Sequence, residues 1–255
     1  ETEKRECKLP KTASINETIT AYYFFNAHET LIGSDLALSL QKGNTVLELE
    51  GGLSGVKNIA LNPYNNTMLI ASSTSISTLK ILPQGRTELK RLIYMRSTSI
   101  LALDSNIILS GSNNGLYKVD LKKGTKKLLL NERITHIKAT KNGDIWMCSD
   151  VSGLFLYKNG VFKNFTEKDG LHSNNIVKLV IDKQENVWAT TNTGLVKLSY
   201  QNNKLNTQNY ILSNILGREQ VNDVVVVSDT VNVATTAGLY YFIESQLKNS
   251  AIKPP

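Results

Sequence analysis

Cysteine, histidine and proline are scarce in this chain, at 2, 3 and 5 of 255 residues, and aromatic residues make up only 7%. Two cysteines, Cys7 and Cys148, exclude a disulfide-stapled scaffold, and they could bond each other only if the fold brought two distant segments together. The three histidines, His28, His136 and His172, stand at no metal-ligand spacing, so no metal and no cofactor is expected, and His28 and His136 read as structural or surface residues. No nucleophile elbow, phosphate-cradling glycine loop or EF-hand pattern occurs, and no catalytic residue is assigned. Long apolar runs are missing as well: none approaches the roughly 20 residues that cross a bilayer. Helical apolar stripes free of turn residues are nearly absent, which leaves strands as the building material.

What is present in ordinary amounts is charge. Lys+Arg 29 against Asp+Glu 22 leaves a net +7. The densest basic groups, Lys122/Lys123/Lys126/Lys127 and Lys80/Arg86/Lys90/Arg91, flank turns, and no recognition motif accompanies them, so nucleic acid is not expected as a partner. The charged start, Glu1 to Lys8, lacks the apolar core of a signal peptide, and with the closing Pro254-Pro255 it reads as either a cytoplasmic start or an excised piece of a longer chain.

A repeat organises the sequence. Six segments end a strand in a small residue followed by a hydroxyl: Gly33-Ser34, Ala71-Ser72, Gly111-Ser112, Cys148-Ser149, Thr190-Thr191 and Ala234-Thr235. The hydroxyl positions are spaced by 38, 40, 37, 42 and 44 residues. A second anchor follows about three residues later as Gly115-Leu116, Gly153-Leu154, Gly194-Leu195 and Gly238-Leu239, with Ser75-Ile76 and Asp35-Leu36 as degenerate versions. β-branched runs and turn residues such as Asn142-Gly143-Asp144 precede the first anchor, and hairpin turns such as Asn159-Gly160 follow the second. Each unit therefore reads as four short antiparallel strands, a to d.

A four-stranded unit of about 40 residues cannot cover both of its faces alone, and radial stacking of such units makes a β-propeller. The fold class expected is all-β: a propeller of four-stranded blades, six in number with seven as the rival count. Blades are placed at about 19–52, 56–95, 96–132, 133–170, 171–216 and 217–255. The last unit has no convincing fourth strand, so the expectation is closure by an N-terminal strand within residues 5–10, which removes an open edge. The small residue is explained by convergence of neighbouring sheets, and the hydroxyl by the backbone groups of a neighbouring loop. Trp146 and Trp188 are expected to fill space between blades, with sugar stacking as the weaker use.

The segment Gly170-Leu171-His172-Ser173-Asn174-Asn175-Ile176, continuing through Asp182 to Asn186-Val187-Trp188-Ala189-Thr190-Thr191 and Gly194-Leu195, resembles the two-component regulator propeller repeat. The fourth unit is similar through Asn142-Gly143-Asp144-Ile145-Trp146-Met147 and Gly153-Leu154, with Cys148 where the family has glycine. The specific motif covers about a third of the chain. The resemblance implies a non-catalytic periplasmic sensor region of a hybrid or ordinary histidine kinase in Bacteroidetes-like bacteria, responding to an oligosaccharide released from a glycan. It further implies a homodimer in the full receptor and a downstream immunoglobulin-like domain, membrane helix and kinase outside this chain.

In a propeller the d-to-a and b-to-c connections share one face, the usual ligand side. Here that face is expected to collect Arg96, Arg133, His172, Asn174, Asn175 and Arg218 from the first kind of loop, and Asp35, Asn113, Asn114, Asp150 and Asn192 from the second. Amides and guanidinium groups suit sugar hydroxyls and the carboxylates or sulfates of acidic sugars. Asn and Asp also satisfy their own loops in this way. Two other classes stay open at this point: a lyase or lactonase propeller, whose paired acids would come from different blades, and a protein-binding scaffold.

Overall fold

The structure, a computed structural model, describes residues 3–5, 18–49, 53–82, 86–192, 194–212 and 220–247. A short strand, β1 (Glu3–Arg5), comes first. Blade one is β2 (Ile19–Phe24), β3 (Glu29–Ser34), β4 (Leu38–Lys42) and β5 (Thr45–Glu48). Blade two is β6 (Val56–Asn62), β7 (Thr67–Ser72), β8 (Ile76–Ile81) and β9 (Thr87–Ile93). Blade three is β10 (Ser99–Ala102), β11 (Ile107–Ser112), β12 (Gly115–Asp120) and β13 (Thr125–Leu130). Blade four is β14 (His136–Ala139), β15 (Ile145–Ser149), β16 (Gly153–Lys158) and β17 (Val161–Phe165). Blade five is β18 (Ile176–Ile181), β19 (Val187–Thr191), β20 (Gly194–Gln201) and β21 (Lys204–Ile211). Blade six is β22 (Val221–Val227), β23 (Thr230–Thr235) and β24 (Gly238–Ile243), followed by the one-turn helix α1 (Glu244–Leu247).

Among the described residues the strands form six four-stranded antiparallel sheets, the blades of a six-bladed β-propeller. In the sixth sheet the order is β1-β24-β23-β22, with Glu3 opposite Tyr241 and Arg5 opposite Leu239. The N-terminal strand thus supplies the missing outer strand, as expected, but it pairs at residues 3–5; residues 6–10 of the expected segment lie outside the described residues. The chain divides into two compact units, Leu9–Thr135 with blades one to three, and His136–Pro255 with Glu1–Lys8, which holds blades four to six.

Within each unit the core lies between blades. Alternate residues of β7 serve two neighbours: Met68 and Ile70 pack with Leu31, Leu38 and Leu40 of blade one, while Leu69 and Ala71 pack with Ile100, Ile108 and Val119 of blade three. This period-2 division buries every residue of β7. In the C-terminal unit, Trp146, Leu154 and Leu156 of blade four meet Leu179, Val187 and Ala189 of blade five. Trp188, one residue before Ala189, points the other way, toward Val224, Val231 and Phe242 of blade six. Both tryptophans fill inter-blade space, and at 2% and 0% exposure neither can stack on a sugar. Cys148 is buried in the same core, and Cys7 lies outside the described residues.

The small residue late in the second strand is required by this packing. A Cβ built on Gly111 would stand 2.9 Å from both Ile134 Cγ2 and the Ile134 carbonyl oxygen, where the chain enters the next blade. One on Gly33 would collide with Val56 in the same way. The hydroxyl beside it does something narrower than expected. Ser34 Oγ accepts from Leu36 N (3.1 Å) and Ala37 N (2.9 Å), Ser72 Oγ from Ser75 N (2.9 Å), and Ser149 Oγ from Ser152 N (3.1 Å). It caps its own b-to-c turn rather than a neighbouring loop. The turn in blade one spans the same three residues, between the hydroxyl and the apolar anchor, as in blades two, three, five and six, so its second anchor is Ala37-Leu38 and not Asp35-Leu36: Leu38 is 1% exposed and Leu36 59%.

Blades five and six are joined by a buried ionic lock. Lys197 Nζ lies 2.8 and 2.9 Å from the two carboxylate oxygens of Glu244, and the Tyr210 hydroxyl donates to Glu244 Oε1 at 2.9 Å. The same ammonium lies 5.1 Å from the Trp188 ring centroid, and Trp188 stacks on Tyr210 at 5.4 Å. Burial, reinforced by the Glu244 carboxylate, raises the Tyr210 phenol well above its ordinary value, so it remains a donor.

Two outcomes follow for stability. Gly111→Val is expected to lower the free energy of unfolding by about 2 kcal/mol or more, since the colliding atom includes backbone, whereas Gly124→Ala in an open turn should cost about 1 kcal/mol through its positive φ. Glu244→Gln should cost about 3 kcal/mol in urea unfolding, the low end for a broken buried pair because Lys197 keeps 20% of its side chain exposed. A loss under about 1 kcal/mol in Glu244→Gln would mean that the lock contributes little.

Candidate functional site

The d-to-a loops and b-to-c turns are bonded to each other, and this bonding sets where the sequence-predicted residues stand. In the N-terminal unit, Gly55 N donates to Asp35 O at 2.8 Å, Ser97 N to Ser72 O at 3.0 Å, and Ile134 N to Ser112 O at 3.1 Å. Arg96 and Arg133, each one residue before such a bond, are exposed. Asp35 Oδ1 is used locally, accepting Thr18 N at 2.9 Å. Asn114 N donates to Ser112 Oγ at 3.3 Å, while Asn113 Oδ1 is buried and finds no hydrogen-bond partner.

In the C-terminal unit the expected residues form a connected series. Gly153 N, three residues after Asp150, donates to Asn174 O at 2.9 Å. Asn174 is clamped to a one-turn 3₁₀ helix, Glu167–Asp169: Glu167 N donates to Asn174 Oδ1 (2.9 Å) and Asn174 N to Glu167 Oε1 (3.0 Å). Ser173 Oγ donates to Asn192 Oδ1 at 3.3 Å and accepts from Asn175 N at 3.0 Å. His172 Nδ1 lies 3.1 Å from Asn209 Oδ1, and its Nε2 lies 2.8 Å from Thr191 Oγ1. Since Asn209 Nδ2 is committed to Gly170 O at 3.0 Å, its oxygen faces the ring, and Nδ1 is the donor. Asp150, His172, Asn174, Asn175 and Asn192 thus share one face, while Arg218 lies outside the described residues. His172 and Asn174 spend their polar atoms on holding loops; Asn192, whose side chain is exposed, is the freer group.

The family-like aspartate has a similar role. Asp182 Oδ1 accepts from Gln184 N and Asn186 N, both at 2.9 Å, and its Oδ2 accepts from Trp188 Nε1 at 2.9 Å. Burial acts to raise its carboxyl, but these bonds outweigh it and hold the group below its ordinary value. The Asp-turn-Trp pattern is therefore a turn clamp.

A row of polar residues on the first strands went unassigned in the sequence. First strands of adjacent blades meet along an inner edge, β2 with β6 and β6 with β10 in one unit, and β14 with β18 and β18 with β22 in the other. An inner edge has backbone N–H groups with no strand to receive them. Asn58 Oδ1 accepts Ile100 N from the next blade at 3.1 Å. At the equivalent position in blade four, His136 Nδ1 accepts Leu179 N at 3.1 Å. In blade six, Asp223 Oδ1 accepts Val224 N at 2.8 Å, and its other oxygen is ion-paired with Lys178 of blade five. Asn58, His136, Lys178 and Asp223 all stand opposite or beside the small-residue anchors (Ala71, Cys148, Thr190, Ala234), a register visible only once strands are paired. Burial first, then the nearby Lys138 and Lys178 charges, hold His136 well below its ordinary value of 6.5, so the imidazole is neutral.

No protein-family model matches the sequence, and no curated protein matches it. Solved structures do resemble it in fold. The extracellular domain of a hybrid two-component system from B. thetaiotaomicron aligns with a TM-score of 0.69 and 11% identity over 89% of this chain and 35% of its own. That of a second such system from the same organism aligns at 0.58 and 17% identity over 100% of this chain and 42% of its own. Virginiamycin B lyase from Staphylococcus aureus aligns at 0.67 and 8% identity over 95% of this chain and 89% of its own. The chain therefore spans 35–42% of the length of the two extracellular domains.

The neutral His136 makes stability depend on pH. The unfolded chain takes up a proton here near 6.5, and the folded chain resists it until well below, so this contribution is complete above that value and is lost as pH falls through it. His136→Asn, which offers the same acceptor as Asn58 does, is expected to flatten the decline in unfolding free energy just below about pH 6.5. An unchanged slope in urea titrations across that window would show that the ring is not held neutral.

Proposed function

We propose that this chain is a non-catalytic sensor propeller of a two-component histidine kinase receptor, working on the periplasmic side of the inner membrane. The observation that carries this reading is the fold likeness to two extracellular domains of hybrid two-component systems over 89% and 100% of the chain. The fourth and fifth blades add the motif resemblance. The kinase, a membrane helix and an immunoglobulin-like domain would lie in the rest of the receptor.

On this reading the ligand is an oligosaccharide released from a glycan, received at the loops of the C-terminal unit that bear Asp150 and Asn192. A ligand signals only through different affinities for two receptor arrangements. A stiff blade stack such as this one responds by changing how it packs on a second copy or on the following domain, so dimerisation and ligand binding belong to the same proposal. The lyase likeness gives an enzymatic reading its support. Two of the three histidines favour the sensor: His136 is buried as a backbone acceptor, and both ring nitrogens of His172 lie at loop groups.

A thermal-shift screen against neutral, acidic and sulfated oligosaccharides tests the proposal. A ligand at about 100 times its dissociation constant adds about 2.7 kcal/mol, worth a few degrees for a domain of this size. Asn192→Ala should reduce that shift without lowering the melting temperature of the unliganded protein. Flat curves across the panel would overturn the ligand part, and new unsaturated products absorbing in the ultraviolet would replace it with a lyase.

A further inference from the structure

The two densest basic groups of the sequence, one on β8 and β9 and the other around the c-to-d turn of blade three, meet at one place in the N-terminal unit. A cleft of about 280 Å³ opens between blades two and three, lined by Lys80, Glu88 and Lys90 from the former and by Lys122 from the latter. Strand register explains the convergence. Lys80 stands opposite Glu88 and Lys90 opposite Thr78, while Thr78 is itself paired with Leu69, which packs on blade three. These four side chains therefore leave the same pleat face, toward blade three, and Lys80 and Lys90 are diagonal neighbours about 7–8 Å apart, within reach of long side chains. The walls are tied together as well. Asn65 Nδ2 donates to Ser105 O at 2.8 Å, both residues lining the cleft, and the buried Asn62 donates from Nδ2 to Asp104 O at 3.2 Å and Ser105 O at 3.3 Å. Among the described residues Lys80, Glu88, Lys90 and Lys122 take part in no ion pair, and no carboxylate besides Glu88 lines the cleft. The acids of the neighbouring turns are spent there: Asp104 Oδ1 accepts Asn106 N and Ile107 N, both at 2.7 Å, and Asp120 Oδ1 accepts Lys122 N at 3.0 Å and Lys123 N at 2.9 Å. Three ammonium groups thus share a small cleft with one carboxylate.

We propose that this cleft binds a phosphate monoester of about monosaccharide size. The positive charge left over after Glu88 matches the charge of about −1.5 to −2 that a phosphate monoester carries near pH 7. Its three terminal oxygens offer one acceptor to each ammonium, and an ammonium bonds as a point charge that needs no planar partner. A carboxylate or a sulfate ester brings one negative charge and leaves the cleft half-neutralised. Size points the same way: at about 30 Å³ per water the cleft holds roughly nine waters, more than a bare oxyanion displaces, and the remainder is room for an organic part. Leu92 and Leu121 give that part an apolar surface, and Thr78 and Asn106 give its hydroxyls polar groups. The site is built from the a-to-b and c-to-d ends of strands in the N-terminal unit and does not rest on the oligosaccharide reading above.

The test is isothermal titration of the whole chain, at fixed ionic strength, with glucose 6-phosphate, glucose 6-sulfate, inorganic phosphate and glucose. Glucose 6-phosphate should bind at one site with a dissociation constant of about 1 mM or tighter, more tightly than inorganic phosphate or the sulfate ester, and glucose should not bind. Lys90→Met and Lys122→Met, one from each wall, should each weaken binding about tenfold, the loss of one charge-assisted contact. Lys127→Met removes the same charge from the same basic group but should leave binding unchanged, because Lys127 stands opposite Lys118, one residue from Val119 of the inter-blade core, and so points away from the cleft. The side chains of Lys90 and Lys122 are exposed and make no bond within the described residues, so both variants are expected to fold, which matching melting curves check. No saturable binding of either phosphate, or a loss with Lys127→Met equal to that with Lys90→Met, would overturn the site. Glucose 6-sulfate binding as tightly as glucose 6-phosphate would overturn the choice of phosphate, and inorganic phosphate binding as tightly would overturn the organic part.

Discussion

A sheet of four short strands has two faces and too little width to cover either, and everything else in this protein answers that constraint. Each blade must be held between neighbours, so β7 and β19 bury alternate residues on opposite sides, and single residues decide which inter-blade layer a side chain enters. Trp188 and Ala189 are adjacent in the chain yet belong to different cores. The sheets approach closely where the second strand ends, which is why glycine or alanine recurs there and why Val56 and Ile134 lie against Gly33 and Gly111.

The same stacking creates a second problem at the inner edge, where first strands have backbone amides without a partner strand. In blades two, four and six a polar side chain accepts a first-strand amide, and its chemistry varies: an amide at Asn58, an imidazole at His136, a carboxylate at Asp223. An amide acceptor is indifferent to pH. An imidazole acceptor must stay neutral, and a carboxylate draws in a cation, here Lys178. The Lys178–Asp223 pair on the inner row of the C-terminal unit thus accompanies the satisfying of a backbone group.

The loop face follows a different economy. Its turns are closed by the hydroxyls of Ser34, Ser72 and Ser149, and its loops are fastened by Asn174 and His172, so several residues that resemble ligand-binding groups in type are occupied in place. Asn192 in the C-terminal unit and Arg96 in the N-terminal unit keep exposed side chains.

Strand number, blade number and the need for a closing N-terminal strand were legible in the sequence, because turn residues and the small-hydroxyl anchor recur in every unit whatever surrounds them. The anchor in blade one was misplaced by two residues, since Leu36 and Leu38 are alike as letters and differ only in which one the neighbouring blade covers. Within the C-terminal unit the loops that carry His172, Asn174 and Asn192 were also legible, because turn residues mark them. The inner row was not: Asn58, His136, Lys178 and Asp223 lie 78, 42 and 45 residues apart in turn and share no residue type. What unites them is their place opposite the small-residue anchors, a register that exists only after the strands have paired.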